Sequence, residues 1–134
     1  MKNQLNGDSS DTAKLLPALA KEEYCYLTTT GRVSGNPHEI EIWFVVQDGI
    51  LYLLSGGGDG ADWVKNLLKN PVVTVRVAKQ TFNATARLVR DEKEDTAARY
   101  LLAEKYHEWE NGKTLSEWAR TALPVAIDLK AVEP

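Results

Sequence analysis

A glycine-dense turn that runs directly into an amphipathic segment is the part of the sequence best suited to bind a small molecule. Residues 55–66 read Ser-Gly-Gly-Gly-Asp-Gly-Ala-Asp-Trp-Val-Lys-Asn. Because glycine has no Cβ, such a turn can adopt positive φ and lie close to a ligand. A helix that begins after the turn directs N–H groups without intrahelical partners toward an anion. These features predict a pocket for a ligand that carries a phosphate, although glycine turns before helices also serve as plain connections.

The other side chains that could react offer little chemistry of their own. Cys25 lies in an apolar stretch, which is typical of a buried structural thiol. His38 and His107 have no cysteine or second histidine at metal-binding spacing, so we predict no metal site. Glu39 and Glu41 share a strand face and suit a solvated or ion-paired surface better than a catalytic pair. The sequence favours a protein that positions a cofactor over one that reacts through its own side chains.

Length, charge and cysteine content restrict the class of protein. A chain of 134 residues is sufficient for one domain with an ordinary core. A net charge of −3 counts against nucleic acid as a partner, and a single cysteine fits a reducing cytoplasm. No apolar run approaches the roughly 18 residues that span a bilayer. We predict a cytoplasmic protein without a membrane span, in which residues 1–10 are a flexible tail and residues 11–134 form a single domain.

Six segments have the β-branched and aromatic composition or the alternation expected of β-strands. They cover residues 24–30, 38–46, 50–54, 72–77, 81–89 and 123–129. Asp48-Gly49, between the second and third segments, is a strong signal for a two-residue hairpin turn. Antiparallel strands in this number tend to close into a small barrel, since closure removes exposed edges. The predicted fold class is therefore mainly β.

Three or four short helices are predicted to pack outside the barrel. They cover residues 11–20, 62–69, 93–109 and a short segment that follows Thr114. Asp91 with Glu94 resembles a capping box for the longest helix, and Thr114 with Glu117 resembles one for the last.

Several short motifs, taken in order, resemble the flavin/deazaflavin oxidoreductase superfamily. They are Thr28-Thr29-Thr30-Gly31-Arg32-x-Ser34-Gly35-x-Pro37, a strand that ends in Trp43-Phe44, and Ser55-Gly56-Gly57 followed by Trp63-x-x-Asn66-Leu67-x-x-Asn70-Pro71. The similarity resumes at Lys105-Tyr106 and at residues 120–125. It is closer to the deazaflavin-dependent nitroreductase (quinone reductase) branch and more distant from the pyridoxamine 5′-phosphate oxidase-like FMN-binding proteins.

The resemblance implies a six-stranded antiparallel split β-barrel, usually dimeric, with a flavin or deazaflavin beside the glycine turn. It places the backbone of Ser55, Gly56 and Gly57 along the ring system. It assigns the phosphate and the polar chain to a second set of residues: Trp63, Lys65, Asn66, Arg32 and Ser34.

Two positions depart from the nitroreductase branch. Val33 stands where that branch has a lysine, and His38, also a cofactor-binding candidate, stands where it has an arginine. Both changes remove positive charge that would meet the anionic tail of the deazaflavin coenzyme F420, and Glu39 and Glu41 act in the same direction. The resemblance to the nitroreductase branch makes the deazaflavin the expected cofactor. The two departures keep FMN, which has no polyglutamate tail, as the alternative.

The site for the acceptor is expected at the end of the long helix. Tyr106 matches a tyrosine that lines the substrate pocket in the nitroreductase branch, and Trp109 follows three residues later on the same predicted face. The Tyr106 hydroxyl could donate a hydrogen bond or a proton to a reduced quinone or nitro oxygen. Tyr106 is thus the catalytic candidate and Trp109 the substrate-pocket candidate. In the competing interpretation, both residues only pack the helix on the barrel.

The resulting hypothesis is an oxidoreductase, working as a homodimer, that passes hydride or electrons from a reduced deazaflavin or FMN to a small organic acceptor such as a quinone or nitro compound. A protein that binds or stores such a cofactor without turnover is the alternative, because no strong acid–base pair stands out. A third possibility is an empty barrel used only for dimerisation.

Overall fold

The molecule is built on one curled antiparallel sheet, and the computed structural model describes residues 19–129. Its strand order is β2-β1-β5-β6-β7-β4-β3. The strands are β1 (Cys25–Thr30), β2 (Pro37–Ile42), β3 (Val45–Gln47), β4 (Ile50–Ser55), β5 (Val72–Val77), β6 (Gln80–Leu88) and β7 (Leu123–Asp128). The predicted mainly β barrel is confirmed, with seven strands where six were expected. The predicted tail over residues 1–10 and residues 11–18 of the first predicted helix lie outside the described residues.

The additional strand arises because the segment predicted as one strand, residues 38–46, is broken at Trp43 and Phe44. Its first part, β2, pairs with β1, whereas its second part, β3, pairs with β4. These are the two outermost strands of the sheet, and only Trp43 and Phe44 connect them. Three residue steps reach at most about 11 Å, so the two edges of the sheet must approach each other. This connection closes the barrel and also marks the place where it is split.

Two apolar clusters form the core on opposite faces of the sheet. The larger cluster contains Phe44, from the break between β2 and β3, and inward-facing strand residues that include Leu27, Leu51, Leu53, Val75, Val125 and Ile127. The second cluster includes Tyr52, Leu54, Ala98, Leu102 and Ala126. Strand β4 contributes to both clusters, which explains why its apolar run shows no alternation with polar residues.

Three α-helices pack on the sheet within the described residues: α1 (Asp62–Lys69), α2 (Glu92–His107) and α3 (Glu117–Thr121). The cap predicted at Asp91 is confirmed, since its side chain accepts a hydrogen bond of 2.9 Å from the Glu94 amide. The reciprocal half of a capping box is not formed, because the Glu94 carboxylate binds Arg87 and Tyr52 instead. The cap predicted for the last helix is wrong. Ser116, not Thr114, caps α3, because its Oγ accepts from the Ala119 amide at 3.2 Å. Within residues 19–129 no helix combines the length and the apolar composition needed to cross a bilayer.

A network of charged side chains fastens α2 to the sheet. Arg87 of β6 donates two parallel hydrogen bonds, of 2.9 and 2.8 Å, to Glu94 of α2. The same guanidinium donates to Asp128 of β7 at 2.9 Å, and the Tyr52 hydroxyl donates to Glu94 at 2.6 Å. These contacts, chiefly those of Arg87, lower the pKa of Glu94 to about 2. The network therefore fixes the start of α2 against three strands.

Candidate functional site

A cleft of about 470 Å³ opens between the β1–β2 connection and the first turns of α1. Both walls come from segments that the sequence associated with a cofactor. Five of the predicted cofactor-binding residues line the cleft: Arg32, Ser34, His38, Trp63 and Asn66. The fold thus brings together the first hairpin and the helix after the glycine turn, which are about 30 residues apart in the chain.

Arg32 is held on the wall of the cleft by α1. Its Nη1 donates to Asn66 Oδ1 at 2.8 Å, and its backbone N–H donates to the same oxygen at 3.1 Å. Asn66 is itself almost fully buried and donates to the Thr29 hydroxyl at 3.2 Å. Asn66 therefore joins α1 to β1 and fixes the orientation of the guanidinium.

The turn after β1 gathers two further polar groups at one point. A Cβ added at Gly31 would lie 2.7 Å from His38 Nε2 and 2.8 Å from Ser34 Oγ, so a larger residue there would displace these side chains. Ser34 Oγ accepts from the Asn36 amide at 3.1 Å, which leaves its own hydroxyl proton for a ligand. Together with Arg32, these groups give one wall of the cleft the donor chemistry that a phosphate requires. The residues present therefore fit a phosphate-bearing cofactor.

Negative charge is also present in the cleft, on the carboxylates of Asp62 and Glu39. Asp62 Oδ1 accepts from Arg32 Nη2 at 3.1 Å, and Glu39 faces Arg76 at 3.6 Å. Glu41 is engaged separately, because it accepts a hydrogen bond of 2.6 Å from the Tyr26 hydroxyl. Each carboxylate thus has its own partner: a cation for Asp62 and Glu39, and a neutral hydroxyl for the exposed Glu41.

Asp62 is the one lining residue with chemistry that the sequence reasoning missed. An aspartate in the first turn of a helix is common, because it complements the helix dipole. Its partner, Arg32, lies on a different element 30 positions earlier. The proximity of Asp62 to the glycine turn was the only local signal available.

Lys65 and Trp63 lie on different sides of α1. Asp62, Trp63 and Asn66 face the cleft, whereas Lys65 is exposed and does not line it. Trp63 is half-buried and packs against the larger apolar cluster. The assignment of Lys65 to the phosphate stays a prediction that requires its flexible side chain to extend around the helix.

The glycine turn directly precedes α1 in the chain, but it does not line the cleft. Ser55 is buried, and its hydroxyl donates to the Gly58 carbonyl at 2.9 Å, which closes the turn. Gly56 and Gly57 are exposed. A Cβ on Gly56 would be 3.9 Å from Trp118 Cδ1, so the turn faces this tryptophan. The placement of the ring system along residues 55–57 stays a prediction.

The Tyr106 hydroxyl lies at the split of the barrel. It accepts a hydrogen bond of 3.0 Å from the Phe44 amide and lies within 2.7 and 2.9 Å of the carbonyls of Glu23 and Phe44. Lys105 Nζ donates to the same Phe44 carbonyl at 2.9 Å. Burial raises the pKa of Tyr106 to about 12 and lowers the pKa of Lys105 to about 8. Both side chains thus satisfy backbone groups where the strand is interrupted.

Trp109 lies beyond the end of α2, so the prediction that it shares a helix face with Tyr106 is wrong. Helix α2 ends at His107, since Glu108 adopts a left-handed conformation with φ 54°. The Trp109 ring contacts Tyr100 with 4.6 Å between centroids, and its Nε1 donates to the Lys113 carbonyl at 2.8 Å. The role of Trp109 in a substrate pocket stays a prediction.

Tyr106 instead belongs to an aromatic cluster near the glycine turn. Its ring stacks on Trp43 with 4.4 Å between centroids and an interplanar angle of 8°. Trp43 also makes edge contacts with Trp118 at 5.3 Å and His107 at 5.8 Å. The cluster places two tryptophans, Trp43 and Trp118, on the side of the turn where Gly56 faces Trp118.

The remaining reactive groups are either buried or dispersed. Desolvation raises the pKa of the Cys25 thiol to about 12, which suits a structural residue. Among residues 19–129, no set of three or more histidine, cysteine, aspartate or glutamate side chains is arranged to hold a metal ion.

Comparison with known proteins supports the resemblance found in the sequence. A family model described as F420H(2)-dependent quinone reductase matches residues 4–130. The solved structure of an F420-H2 dependent reductase, FDR-A, is 25% identical with a TM-score of 0.60, and the match covers 78% of this chain and 93% of that chain.

Two further solved structures share the fold at lower identity. A Listeria innocua protein assigned as a pyridoxamine 5′-phosphate oxidase is 20% identical, with a TM-score of 0.62 and coverage of 86% of this chain and 90% of that chain. HutZ, a heme storage protein from Vibrio cholerae, is 19% identical, with a TM-score of 0.66 and coverage of 90% of each chain. The resemblance to the deazaflavin-dependent group is confirmed by the family model, and the Listeria innocua and HutZ structures show that the fold is shared more widely.

Proposed function

Because the chain belongs to the F420H(2)-dependent quinone reductase family, an oxidoreductase family, we propose that it transfers a hydride from reduced deazaflavin to a small organic acceptor such as a quinone. A nitro compound is an acceptor of similar size and chemistry. The observation that supports this proposal most directly is the cleft in which Arg32, Ser34 and His38 converge beside α1. That set of donors suits a phosphorylated cofactor, either the deazaflavin or, as the alternative, FMN.

The bound deazaflavin supplies the redox chemistry, so the work of the protein is to bind, to orient and to exclude water. In our proposal the Arg32 guanidinium and the groups at Ser34 and His38 hold the phosphate. The N–H groups of Asp62 and Trp63, ahead of those of Val64 and Lys65 that donate to the Ala61 carbonyl, would add two donors at the start of α1. Trp63 supplies an apolar surface at the same wall of the cleft. Asn66 acts through Arg32 and is a positioning residue.

On the acceptor side we propose the aromatic cluster around Trp43 and Tyr106. Flat rings stack well on tryptophan and tyrosine, and the cluster lies next to the glycine turn assigned to the ring system. For the Tyr106 hydroxyl to donate to an acceptor oxygen, it must exchange its contact with the carbonyl of Glu23 or Phe44. Its role as hydrogen-bond or proton donor rests on that exchange.

We also propose that the protein works as a homodimer, as the sequence resemblance implies, and in the cytoplasm, which its single cysteine favours. Sedimentation equilibrium of the purified chain measures the oligomeric state directly. A mass equal to one chain of 14.9 kDa at micromolar concentration would contradict the dimer.

The decisive experiment is a titration of the protein with F420 and with FMN. We expect a change in the visible absorption of at least one coenzyme, followed by oxidation of the bound reduced coenzyme when menadione is added. If neither coenzyme changes its spectrum or raises the melting temperature of the protein, the proposed function is wrong. Riboflavin serves as the control ligand, since it has the ring system of FMN without the phosphate.

A non-catalytic cofactor-binding protein is the second candidate. It is favoured by the engagement of the Tyr106 hydroxyl with backbone groups and by the separate partners of Glu39 and Glu41. This candidate predicts that the bound, reduced coenzyme is stable to quinone and nitro acceptors. Turnover with any of these acceptors at a rate above that of the coenzyme in buffer excludes it.

A further inference from the structure

A carboxylate of the protein itself, that of Asp62, already binds the guanidinium of Arg32 in the cleft. Asp62 Oδ1 accepts from Arg32 Nη2 at 3.1 Å, although 85% of the Asp62 side chain is exposed to solvent. The Asp62 carbonyl is also within 3.4 Å of Arg32 Nη1. Because the carboxylate is so exposed, it can rotate into solvent at small cost when another anion takes its place.

We propose that Asp62 determines which cofactors the cleft accepts, by serving as an internal counterion that a ligand phosphate must displace from Arg32. The inference rests on the proposed function, because it assumes that Arg32 meets the phosphate of a cofactor. A ligand with a single phosphate exchanges one anion for another at the guanidinium. A ligand with a longer anionic tail must also bring its carboxylates close to Asp62 and Glu39.

The distribution of charge around the cleft supports this role. Among the described residues that line the cleft, Arg32 is the one lysine or arginine, while Asp62 and Glu39 are both acidic. Arg76 offsets Glu39 only at 3.6 Å, with both side chains about half exposed. Asp62 is also the first residue of α1, where its charge weakens the attraction of the helix terminus for a second anion. Each added negative charge on the ligand is therefore opposed by Asp62.

The test compares Asp62→Asn with the matched variant Asp59→Asn. Both changes remove one negative charge, but Asp59 lies in the short helical turn of Gly58–Gly60 and makes none of the contacts with Arg32. Binding of inorganic pyrophosphate, FMN, F420 and riboflavin is measured by isothermal titration calorimetry at low salt. We expect Asp62→Asn to tighten the dissociation constants of all three anionic ligands: about fivefold for F420, which is the upper range for an exposed ion pair, and less for FMN, which has no further carboxylates. Riboflavin affinity should stay within twofold.

The pyrophosphate measurement separates this inference from the proposed function, since pyrophosphate has no redox ring. If Asp62→Asn fails to tighten pyrophosphate binding while its melting temperature matches the wild type, the inference is overturned. An equal gain in Asp59→Asn also overturns it, because the effect would then come from net charge. Tighter pyrophosphate binding in Asp62→Asn, with no binding of F420 or FMN in any variant, supports the counterion and contradicts the redox function.

Discussion

Arg32 and Lys65 are the two cations assigned to the phosphate from sequence, and the fold separates them. Arg32 lies in the cleft and is fixed by Asn66, whereas Lys65 is exposed on the outer side of α1. We therefore expect Arg32→Ala to weaken FMN or F420 binding by about 1.5–3 kcal/mol, the range for a charged hydrogen bond. Lys65→Ala should cost less than about 1 kcal/mol, since an exposed charge is screened by water and salt.

Fluorescence titration of each variant with FMN and riboflavin measures these losses. Riboflavin affinity is the internal control, because removal of a phosphate contact should leave it nearly unchanged. A larger loss in Lys65→Ala than in Arg32→Ala would show that the lysine extends to the phosphate, as the sequence alone suggested.

Tyr106 allows a separate prediction, because its hydroxyl forms hydrogen bonds with backbone groups of Phe44 and Glu23. Tyr106→Phe leaves the Phe44 amide without the acceptor it has at 3.0 Å. We expect the free energy of unfolding to fall by about 1–3 kcal/mol, the cost of leaving such a group unpaired. Urea denaturation of the variant, compared with the wild type, measures this change.

The matched control for this experiment is Tyr100→Phe on the same helix, where the ring is partly exposed and packs on Trp109. That change should alter stability by less than about 0.5 kcal/mol. If Tyr106→Phe is as stable as the wild type but reduces the rate of quinone reduction, the hydroxyl acts on the acceptor and its structural role is minor.

The positions of individual site residues could be predicted from the sequence where a turn sets their spacing. They were harder to predict where a contact with a residue distant in the chain fixes the side chain. Ser34 and His38 approach each other because the chain reverses over residues 31–36, where Gly31 N–H donates to the Asn36 carbonyl at 2.8 Å. That reversal is visible in the glycines and the proline of the sequence. The contact of Asp62 with Arg32 depends on the packing of α1 against β1, which no local pattern specifies.

At the scale of elements, the break at Trp43 and Phe44 was not predicted, because the apolar and β-branched composition continues across it. Two hairpins compete for this segment. The turn at residues 31–36 pairs its first half with β1, and the Asp48-Gly49 turn pairs its second half with β4. The two partners lie at opposite sides of the sheet, so one continuous strand cannot satisfy both. Lys105 and Tyr106 then bond the backbone of Phe44 at the break.

The network that joins α2 to the sheet gives a prediction about pH. The pKa of Glu94 in the folded protein is about 2, below its ordinary value of 4.5. A lowered pKa in the folded state stabilises the protein above pH 4.5, and this stabilisation is lost as the pH falls toward 2. Glu94→Gln should therefore destabilise the protein by about 1–3 kcal/mol at pH 7. The difference from the wild type should shrink as the pH falls to 2.5.

Urea unfolding at pH 7, 4.5 and 2.5 measures this effect. Glu92→Gln is the control, because Glu92 is exposed in the same first turn of α2 and has the same interaction with the helix dipole. Equal losses of stability in the two variants, or a difference for Glu94→Gln that does not depend on pH, would contradict the role assigned to Arg87 and Glu94.

For the whole molecule, the fold class followed from the composition of the strand segments and from the hairpin turn between two of them, which are local signals. The Asp48-Gly49 turn and the cap at Asp91 both appear as predicted. Closure of the barrel is a global property, and it depends on two residues that connect opposite edges of the sheet. The assignment of residues 11–134 to one domain stays a prediction, since the structure describes residues 19–129.

The final prediction concerns the response of the whole molecule to its cofactor. A ligand that binds only the folded state stabilises it by about 2.7 kcal/mol at a concentration of 100 times the dissociation constant. For a domain of this size we expect the melting temperature to rise by about 5–10 °C with F420 or FMN. The stabilisation should be concentrated at the cleft, because the ligand joins the β1–β2 connection to α1 across it.

Hydrogen exchange of the protein with and without the coenzyme locates this stabilisation. Protection should increase most in residues 31–38 and in Asp62–Lys69, which form the two walls of the cleft, and least near the start of α2, which the Arg87 network already fixes. Added protection confined to the aromatic cluster at Trp43 and Tyr106 would mean that the coenzyme binds at the split of the barrel. The cleft would then be an anion site without a redox partner, and the proposed arrangement of phosphate and ring would be wrong.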